Sequence, residues 1–80
     1  MRMELGEAIR KRINEFVKDK KSLTAICLNS NITPSTIFDF MNGKSKYPNI
    51  LTIKRLCVGL GITLQEFFNT SYFNEDDTIY

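Results

Sequence analysis

Short polar side chains that could form hydrogen bonds with a ligand cluster in one short segment of the chain. Thr33, Ser35 and Thr36 carry hydroxyl groups that both donate and accept hydrogen bonds, whereas the Asp39 carboxylate only accepts them. Phe38 and the threonine methyl groups add apolar contact surface. Such a set suits the donors, acceptors and methyl groups that DNA base edges display in the major groove, provided that one helix presents the set together.

The residues around this segment predict two short helices separated by a turn. Ser22 can cap a first helix, which carries apolar residues three and four positions apart and stops near Asn29. Asn31 lies in the turn, and asparagine tolerates a left-handed backbone there. Ile32 is expected to hold the turn against the core. Thr33 as the N-cap and Pro34 at the first helical position then predict the start of a second helix.

The second helix is predicted to be short. Ile37, Phe40 and Met41 follow helical spacing, and Asn42 with Gly43 is a typical helix C-terminal signal. A helix of about nine residues is not stable alone in water, so it must be held by packing against the rest of the chain.

Three further helices are predicted. An amphipathic helix extends from Glu4 to about Lys20, and Asn49 can cap another helix that ends at Gly61. Thr63 and Glu66 have the spacing of a capping box and predict a last short helix. The expected fold is therefore all-α, with five helices in one compact domain.

Charge is unevenly distributed along the 80 residues, although the net charge is only +2. All eleven basic residues lie among the first sixty, against five acidic residues, while the last twenty hold four acidic residues and no basic one. A basic body suits a polyanionic partner. We expect residues 1–70 to form the domain and residues 71–80 to form an acidic, aromatic-containing tail that faces away from the polyanion or binds a protein.

Several function classes find no support in the composition. The chain has no histidine, no phosphate-binding loop and no metal-ligand spacing, so we expect no enzymatic activity, no metal and no cofactor. Cys27 and Cys57 lie on apolar helical faces, where free cysteine behaves as a small hydrophobic residue. Apolar runs are too short for a membrane span or a signal peptide, which favours a cytoplasmic protein.

The order of these features resembles the phage repressor and Cro-like helix-turn-helix domains, the XRE family, over about residues 5–69. The combination of short motifs in this order is more specific than any one of them. The residues that carry the resemblance are Ser22-Leu-Thr, Ile32-Thr-Pro-Ser-Thr-Ile37, Asn42-Gly43-Lys44, Leu60-Gly-Ile-Thr-Leu64 and Phe67-Phe68.

The resemblance implies a transcriptional regulator, most simply a repressor, that binds double-stranded operator DNA as a homodimer. The third helix, about residues 34–41, would be the recognition helix in the major groove. The residues that would face the bases are Thr33, Ser35, Thr36 and Asp39, joined by Phe38 on its chemistry. The residues that would contact phosphates are Ser22, Leu23, Asn42, Lys44 and Lys46.

Elementary chemistry supports part of this assignment. Free backbone N–H groups at the start of the second helix, near Leu23 and Thr24, would form an anion site. Asn42, Gly43 and Lys44 could hold the opposite strand through an amide, a close backbone approach and an ammonium group. The predicted recognition helix has no basic or amide side chain, so weak or shape-dependent sequence preference is expected.

Other interpretations of the same residues remain open. Phe38 could pack against its neighbours, and Asp39 could be solvated or paired with a lysine. The basic cluster at residues 10–12, like Lys54 and Arg55, is more typical of a solvated face than of a phosphate site.

A protein-interaction module on the same fold, antitoxin-like or a regulatory subunit, is the alternative to DNA binding. The residues expected at a dimer or partner interface are Phe67, Phe68, Tyr72 and Phe73, with the alternative that Phe67 and Phe68 are directed inward.

Overall fold

A computed structural model describes the backbone of residues 3–74 and 78–79. The fold is all-α, as predicted, and six helices form within this part of the chain, with two very short strands. The helices are α1 (Leu5–Phe16), α2 (Lys20–Asn29), α3 (Pro34–Met41), α4 (Ile50–Leu60), α5 (Leu64–Phe68) and α6 (Ser71–Asn74). The strands β1 (Met3–Glu4) and β2 (Thr78–Ile79) pair in parallel.

The first predicted helix is too long at its C-terminal end. α1 ends at Phe16, and Val17 takes an extended conformation instead of continuing to Lys20. The Val17 side chain is only 5% exposed. The extended residue inserts this side chain into the core, which redirects the chain towards α2.

The cap of α2 also differs from the prediction. Asp19, not Ser22, is the N-cap, and its carboxylate accepts a hydrogen bond from the Ser22 N–H at 2.7 Å. Both residue types favour this position, but a carboxylate also interacts favourably with the positive end of the helix dipole. The helix therefore begins at Lys20, two residues before Ser22.

The turn between α2 and α3 has the predicted character. Asn31 adopts a left-handed conformation with φ of 60°, and Ile32 is only 6% exposed. The Ile32 N–H donates to the Cys27 carbonyl at 2.9 Å, which closes the end of α2. Pro34 occupies the first position of α3, while Thr33 is the N-cap without a hydrogen bond from its hydroxyl. The two helices thus form a helix-turn-helix unit.

The core combines residues from five helices. Both cysteines are buried and free, and burial raises the pKa of each thiol, which agrees with their predicted role as small hydrophobic residues. The largest side chains with almost no exposure are Phe40, Phe67, Ile13, Ile37, Leu56, Cys27 and Cys57.

The capping signals of the last predicted helices are confirmed. The Asn49 side chain accepts from the Thr52 N–H at 2.8 Å at the start of α4, and Gly61 ends that helix with φ of 75°. Thr63 and Glu66 form the reciprocal capping box of α5. None of the helices in the described part of the chain has the length and hydropathy of a bilayer span.

The described part of the predicted tail packs on the domain as α6. The Phe73 ring lies 4.9 Å from the ring centre of Phe68 and 6.2 Å from that of Phe67. The Tyr72 hydroxyl donates a hydrogen bond to the Glu15 carboxylate, and the Lys11 ammonium lies 4.8 Å from the centre of the Tyr72 ring. The acidic residues 75–77 and the last residue lie outside the described residues.

A close approach between α2 and α4 requires glycine at position 59. A Cβ atom on Gly59 would lie 1.8 Å from Ser30 Oγ and 3.1 Å from Ile26 Cγ2. The Ser30 hydroxyl is buried and has no hydrogen-bond partner among the described residues. The Ser30 hydroxyl therefore occupies the space that a side chain at position 59 would need.

We expect Gly59→Ala to lower the free energy of unfolding by about 1–3 kcal/mol because the added methyl group overpacks this contact. Adding Ser30→Ala should recover part of the loss, since it removes the nearest atom. Urea unfolding of the two single variants and the double variant measures the coupling. Strictly additive effects would contradict the proposed contact.

The Tyr72–Glu15 bond predicts a pH-dependent contribution to stability. The Tyr72 hydroxyl, with smaller help from Arg12, holds the pKa of Glu15 below its ordinary value. The stabilisation is therefore present above the unfolded carboxyl pKa and is lost as pH falls through the folded value. Tyr72→Phe should cost about 1 kcal/mol or less at neutral pH, because Glu15 is 41% exposed, and the difference from wild type should shrink by about pH 3. Urea unfolding at both pH values checks this, and a constant difference would contradict it.

Candidate nucleic-acid interface

The exposed face of α3 carries most of the residues predicted to contact bases. Ser35, Thr36 and Asp39 are exposed, as is Thr33 just before the helix. Helical spacing aligns Ser35 and Asp39 with Asn42, which lies one turn further along. The opposite face is buried, so packing of the helix fixes which side is presented to a ligand.

Phe38 lies at the border of this face and is partly buried against the core. The Lys20 ammonium, from the start of α2, lies 5.2 Å from the centre of the Phe38 ring. Packing thus accounts for one side of the ring, while its other side borders the exposed face.

Asp39 contributes a free carboxylate and a structural carbonyl. The Asp39 carbonyl accepts hydrogen bonds from the N–H groups of Lys44 at 2.8 Å and Ser45 at 3.3 Å, which holds the loop after α3. The carboxylate is exposed, and within the described residues the one ion pair joins Arg12 to Glu15 instead. Two interpretations of Asp39 other than base contact were a solvated carboxylate and a carboxylate paired with a lysine. The structure favours the solvated carboxylate.

The loop after α3 presents the second set of predicted contacts. Asn42, Lys44 and Lys46 are all exposed, and Gly43 between them has φ of 83°. Arg10 on α1 holds both the end of α3 and this loop, since its Nε donates to the Phe40 carbonyl at 2.8 Å and a terminal nitrogen donates to the Ser45 carbonyl at 3.5 Å.

Ser22 and Leu23 do not form the anion site that was predicted. The Leu23 side chain is 6% exposed, and its N–H donates to the Asp19 carbonyl at 3.2 Å. The Ser22 N–H is bonded to the Asp19 carboxylate, and this bond holds the pKa of Asp19 below its ordinary value. The free N–H groups expected here are paired because α2 begins earlier, so that an ionised carboxylate already occupies the helix N-terminus. Contact of the exposed Ser22 side chain with a phosphate stays a prediction.

A different basic site lies beside this helix start. A surface cleft of about 260 Å³ separates the end of α1, the start of α2 and the end of α3. Val17 and Leu23 contribute its buried apolar wall, while Lys18 and Lys20 contribute positive charge. Sequence reasoning did not single out this pair, because the first helix was predicted to continue to about Lys20, although the run Lys18-Asp-Lys-Lys21 was a visible signal. The remaining lining residues are Asn14, Asp19, Phe38, Met41 and Asn42.

Arg10, Arg12 and Arg55 donate to carbonyl groups instead of forming a solvated face. Arg12 donates through Nε to the Phe67 carbonyl and through a terminal nitrogen to the Glu66 carbonyl, both at 2.7 Å. Arg55 donates to the Asn31 carbonyl in the turn at 3.4 Å. The exposed cations near α3 are therefore lysines.

The predicted aromatic interface is partly incorrect. Phe67 has no exposure, since it fills the core below α5 and α6, so its side chain is not available to a partner. Phe68, Tyr72 and Phe73 are partly exposed and contact one another on the surface of the domain. Within the described residues, no group of three or more His, Cys, Asp or Glu side chains could hold a metal ion.

Among solved structures, the chain is similar to the crystal structure of the prophage Lp1 protein 11. The two share 28% sequence identity with a TM-score of 0.76, and the alignment covers 94% of this chain and 99% of that chain. A prophage protein of the same size thus has this helical fold. No family model matches the chain, and the search of curated proteins found no match.

The Arg10 contacts predict a local and a global effect on stability. Arg10→Met keeps the aliphatic stem but removes the donors at the negative end of α3, which should cost about 1–3 kcal/mol. Lys18→Met, an exposed position without such a bond, is the matched control. Denaturant unfolding measures the loss, and amide exchange should accelerate in the loop after α3. Equal effects of the two substitutions would contradict the positioning role.

Proposed function

We propose that this protein binds double-stranded DNA through α3 and acts as a small transcriptional regulator of the phage repressor type. The observation that carries the proposal is the exposed hydrogen-bonding face of α3, held by a buried opposite face and accompanied by two groups of exposed lysines near the end of the helix. The similarity to a prophage protein supports the phage-related part of the proposal.

The dimensions of α3 suit a major groove. Eight residues give a helix about 12 Å long, and a helix of ordinary diameter fits the groove, which is about 12 Å wide. Ser35, Thr36 and Asp39 would then approach base edges, with Asn42 next to them. Only Asp39 is charged, so we expect hydroxyl contacts and shape to set a weak sequence preference.

Two groups of exposed lysines near the end of α3 would hold the phosphate backbone. Lys44 and Lys46 follow the helix directly, while Lys18, Lys20 and Lys21 lie at the corner between α1 and α2. This corner replaces Ser22 and Leu23 in the proposal, because an ammonium group on a flexible stem can reach a phosphate that the capped helix start would repel. Such contacts fix register without reading sequence.

A salt series with single variants tests the proposal. Fluorescence anisotropy with a random-sequence duplex pool should give binding that weakens with salt, and Lys20→Gln and Lys44→Gln should each lower the slope by about 0.9. Lys11→Gln removes the same charge on α1, away from α3, and should leave the slope unchanged. Ser35→Ala and Thr36→Ala should change the preferred sequences among the bound duplexes more than the overall affinity.

The result that contradicts the proposal is equally clear. The proposed DNA interface would be contradicted if no binding occurred at low salt. It would also be contradicted if the Lys11, Lys20 and Lys44 variants lost affinity to the same extent. One sharply defined GC-containing half-site would instead contradict the expected weak preference.

Dimerisation belongs to the same proposal. A symmetric dimer would bind a nearly palindromic site with half-site centres one DNA turn apart, about 10–10.5 bp. The partly exposed aromatic residues Phe68, Tyr72 and Phe73 are candidates for its contact surface. Light scattering with and without the duplex distinguishes a stable dimer from one that forms only on DNA.

One observation favours the alternative of a protein-interaction module. The solvated carboxylate of Asp39 stands in the middle of the α3 face and would repel nearby phosphates, whereas a basic side chain of a protein partner would pair with it. Asp39→Asn distinguishes the two: it should strengthen DNA binding under the first proposal and weaken a protein complex under the second.

A further inference from the structure

One face of α4 exposes large apolar side chains to solvent. Ile50 is 64% exposed, Leu51 is 52% exposed and Val58 is 63% exposed. Scattered exposed apolar residues are normal on a protein surface, but neighbours on one helix face form a patch that suits an interaction. These three residues and Lys54 form what we name the α4 strip.

Helical geometry makes the α4 strip continuous. Leu51 and Val58 are seven residues apart, which places them two turns apart on the same side of the helix, separated by about 10.5 Å. Ile50 and Lys54 are four residues apart and lie beside them. The buried residues of α4, Thr52, Ile53, Leu56 and Cys57, occupy the opposite side.

The chain segment that contains the α4 strip carries charge of one sign. No acidic residue occurs between positions 40 and 65, whereas Lys44, Lys46, Lys54 and Arg55 all lie in that range. Lys54 is exposed within the strip itself. A surface that combines apolar side chains with an ammonium group is complementary to apolar side chains flanked by carboxylates.

A second copy of this chain fits the α4 strip poorly. In a symmetric antiparallel pair, Leu51 would pack against Val58 of the other copy, and the two-fold axis would pass between positions 54 and 55. Lys54 would then lie opposite Arg55 of the other copy, and like charges in such positions are destabilising. The charge pattern therefore favours a different, acidic partner.

We propose that the α4 strip binds an acidic amphipathic helix of a partner protein. Apolar side chains of that helix at positions i, i+3 or i+4, and i+7 would contact Leu51 and Val58, and a carboxylate would pair with Lys54. The strip shares no residue with the α3 face or with the cleft beside α2. Partner binding and DNA binding are therefore separate properties of the chain.

The test uses two designed helical peptides that differ only in charge. Both carry leucine at i, i+4 and i+7, and one has glutamate wherever the other has lysine. Titration of the isotope-labelled full chain, followed by amide NMR shifts, should show saturable shifts centred on α4 with the acidic peptide and not with the basic one. Raising the salt concentration should weaken the complex because the charge pair is exposed.

Substitutions on the α4 strip sharpen the test. Leu51→Ser with Val58→Ser should abolish the shifts, whereas Leu28→Ser is the matched control, because Leu28 is 66% exposed on α2 outside the strip. Lys54→Glu should reverse the preference, so that the basic peptide binds better. Circular dichroism of each variant verifies that the helices are intact.

Four outcomes would overturn the proposal: no saturable shift with the acidic peptide, equal response to both peptides, shifts outside α4, or concentration-dependent shifts on α4 without peptide. The last outcome would indicate self-association. None of them depends on whether the chain binds DNA, and failure of DNA binding would leave the peptide result unaffected.

Discussion

The buried side chain of Ile32 determines how α3 is presented, and the candidate interface depends on it. Ile32 is anchored in the core at the end of a turn that Asn31 closes with a left-handed backbone. α3 has only eight residues and would not be stable alone. Its position therefore comes from this anchor and from the buried side chains of Ile37 and Phe40.

Hydrogen bonds from arginines on other helices also hold α3, α5 and the turn in place. Arg10 and Arg12 reach from α1 to the carbonyl ends of α3 and α5, and Arg55 reaches from α4 to the turn. Each guanidinium group donates to carbonyl groups at the end of a helix or in a turn, and the Phe40 and Glu66 carbonyls also accept a backbone N–H. A planar group with several donors suits this task better than an ammonium group, which explains why these three positions hold arginine.

Local signals made much of the fold predictable from the sequence. Pro34, Gly61 and the pair of Thr63 and Glu66 act within one turn of their own position, so α3, the end of α4 and the start of α5 were predicted correctly. The start of α2 was not, because Asp19 and Ser22 are both good caps and the choice follows from burial of Val17 by distant residues.

Non-local contacts explain the other errors at the candidate site. Nothing in the spacing of residues 10–12 indicates that two arginines reach carbonyls some thirty and more than fifty positions away. Phe67 was expected at an interface because it lies near the end of the chain, but α6 packs next to it and completes its burial. The clustering of hydroxyls on α3, in contrast, follows from helical periodicity and was predictable.

The exposed α3 face, with two groups of lysines near its end, is the feature on which the proposed function rests. The most direct measurement is amide NMR of the isotope-labelled chain with a random-sequence duplex, recorded at low and at raised salt concentration. DNA binding through α3 predicts shifts in α3, in the Lys18–Lys21 corner and in the loop containing Lys44 and Lys46, all diminishing with salt. An unchanged spectrum at low salt, or shifts that avoid α3, would contradict it.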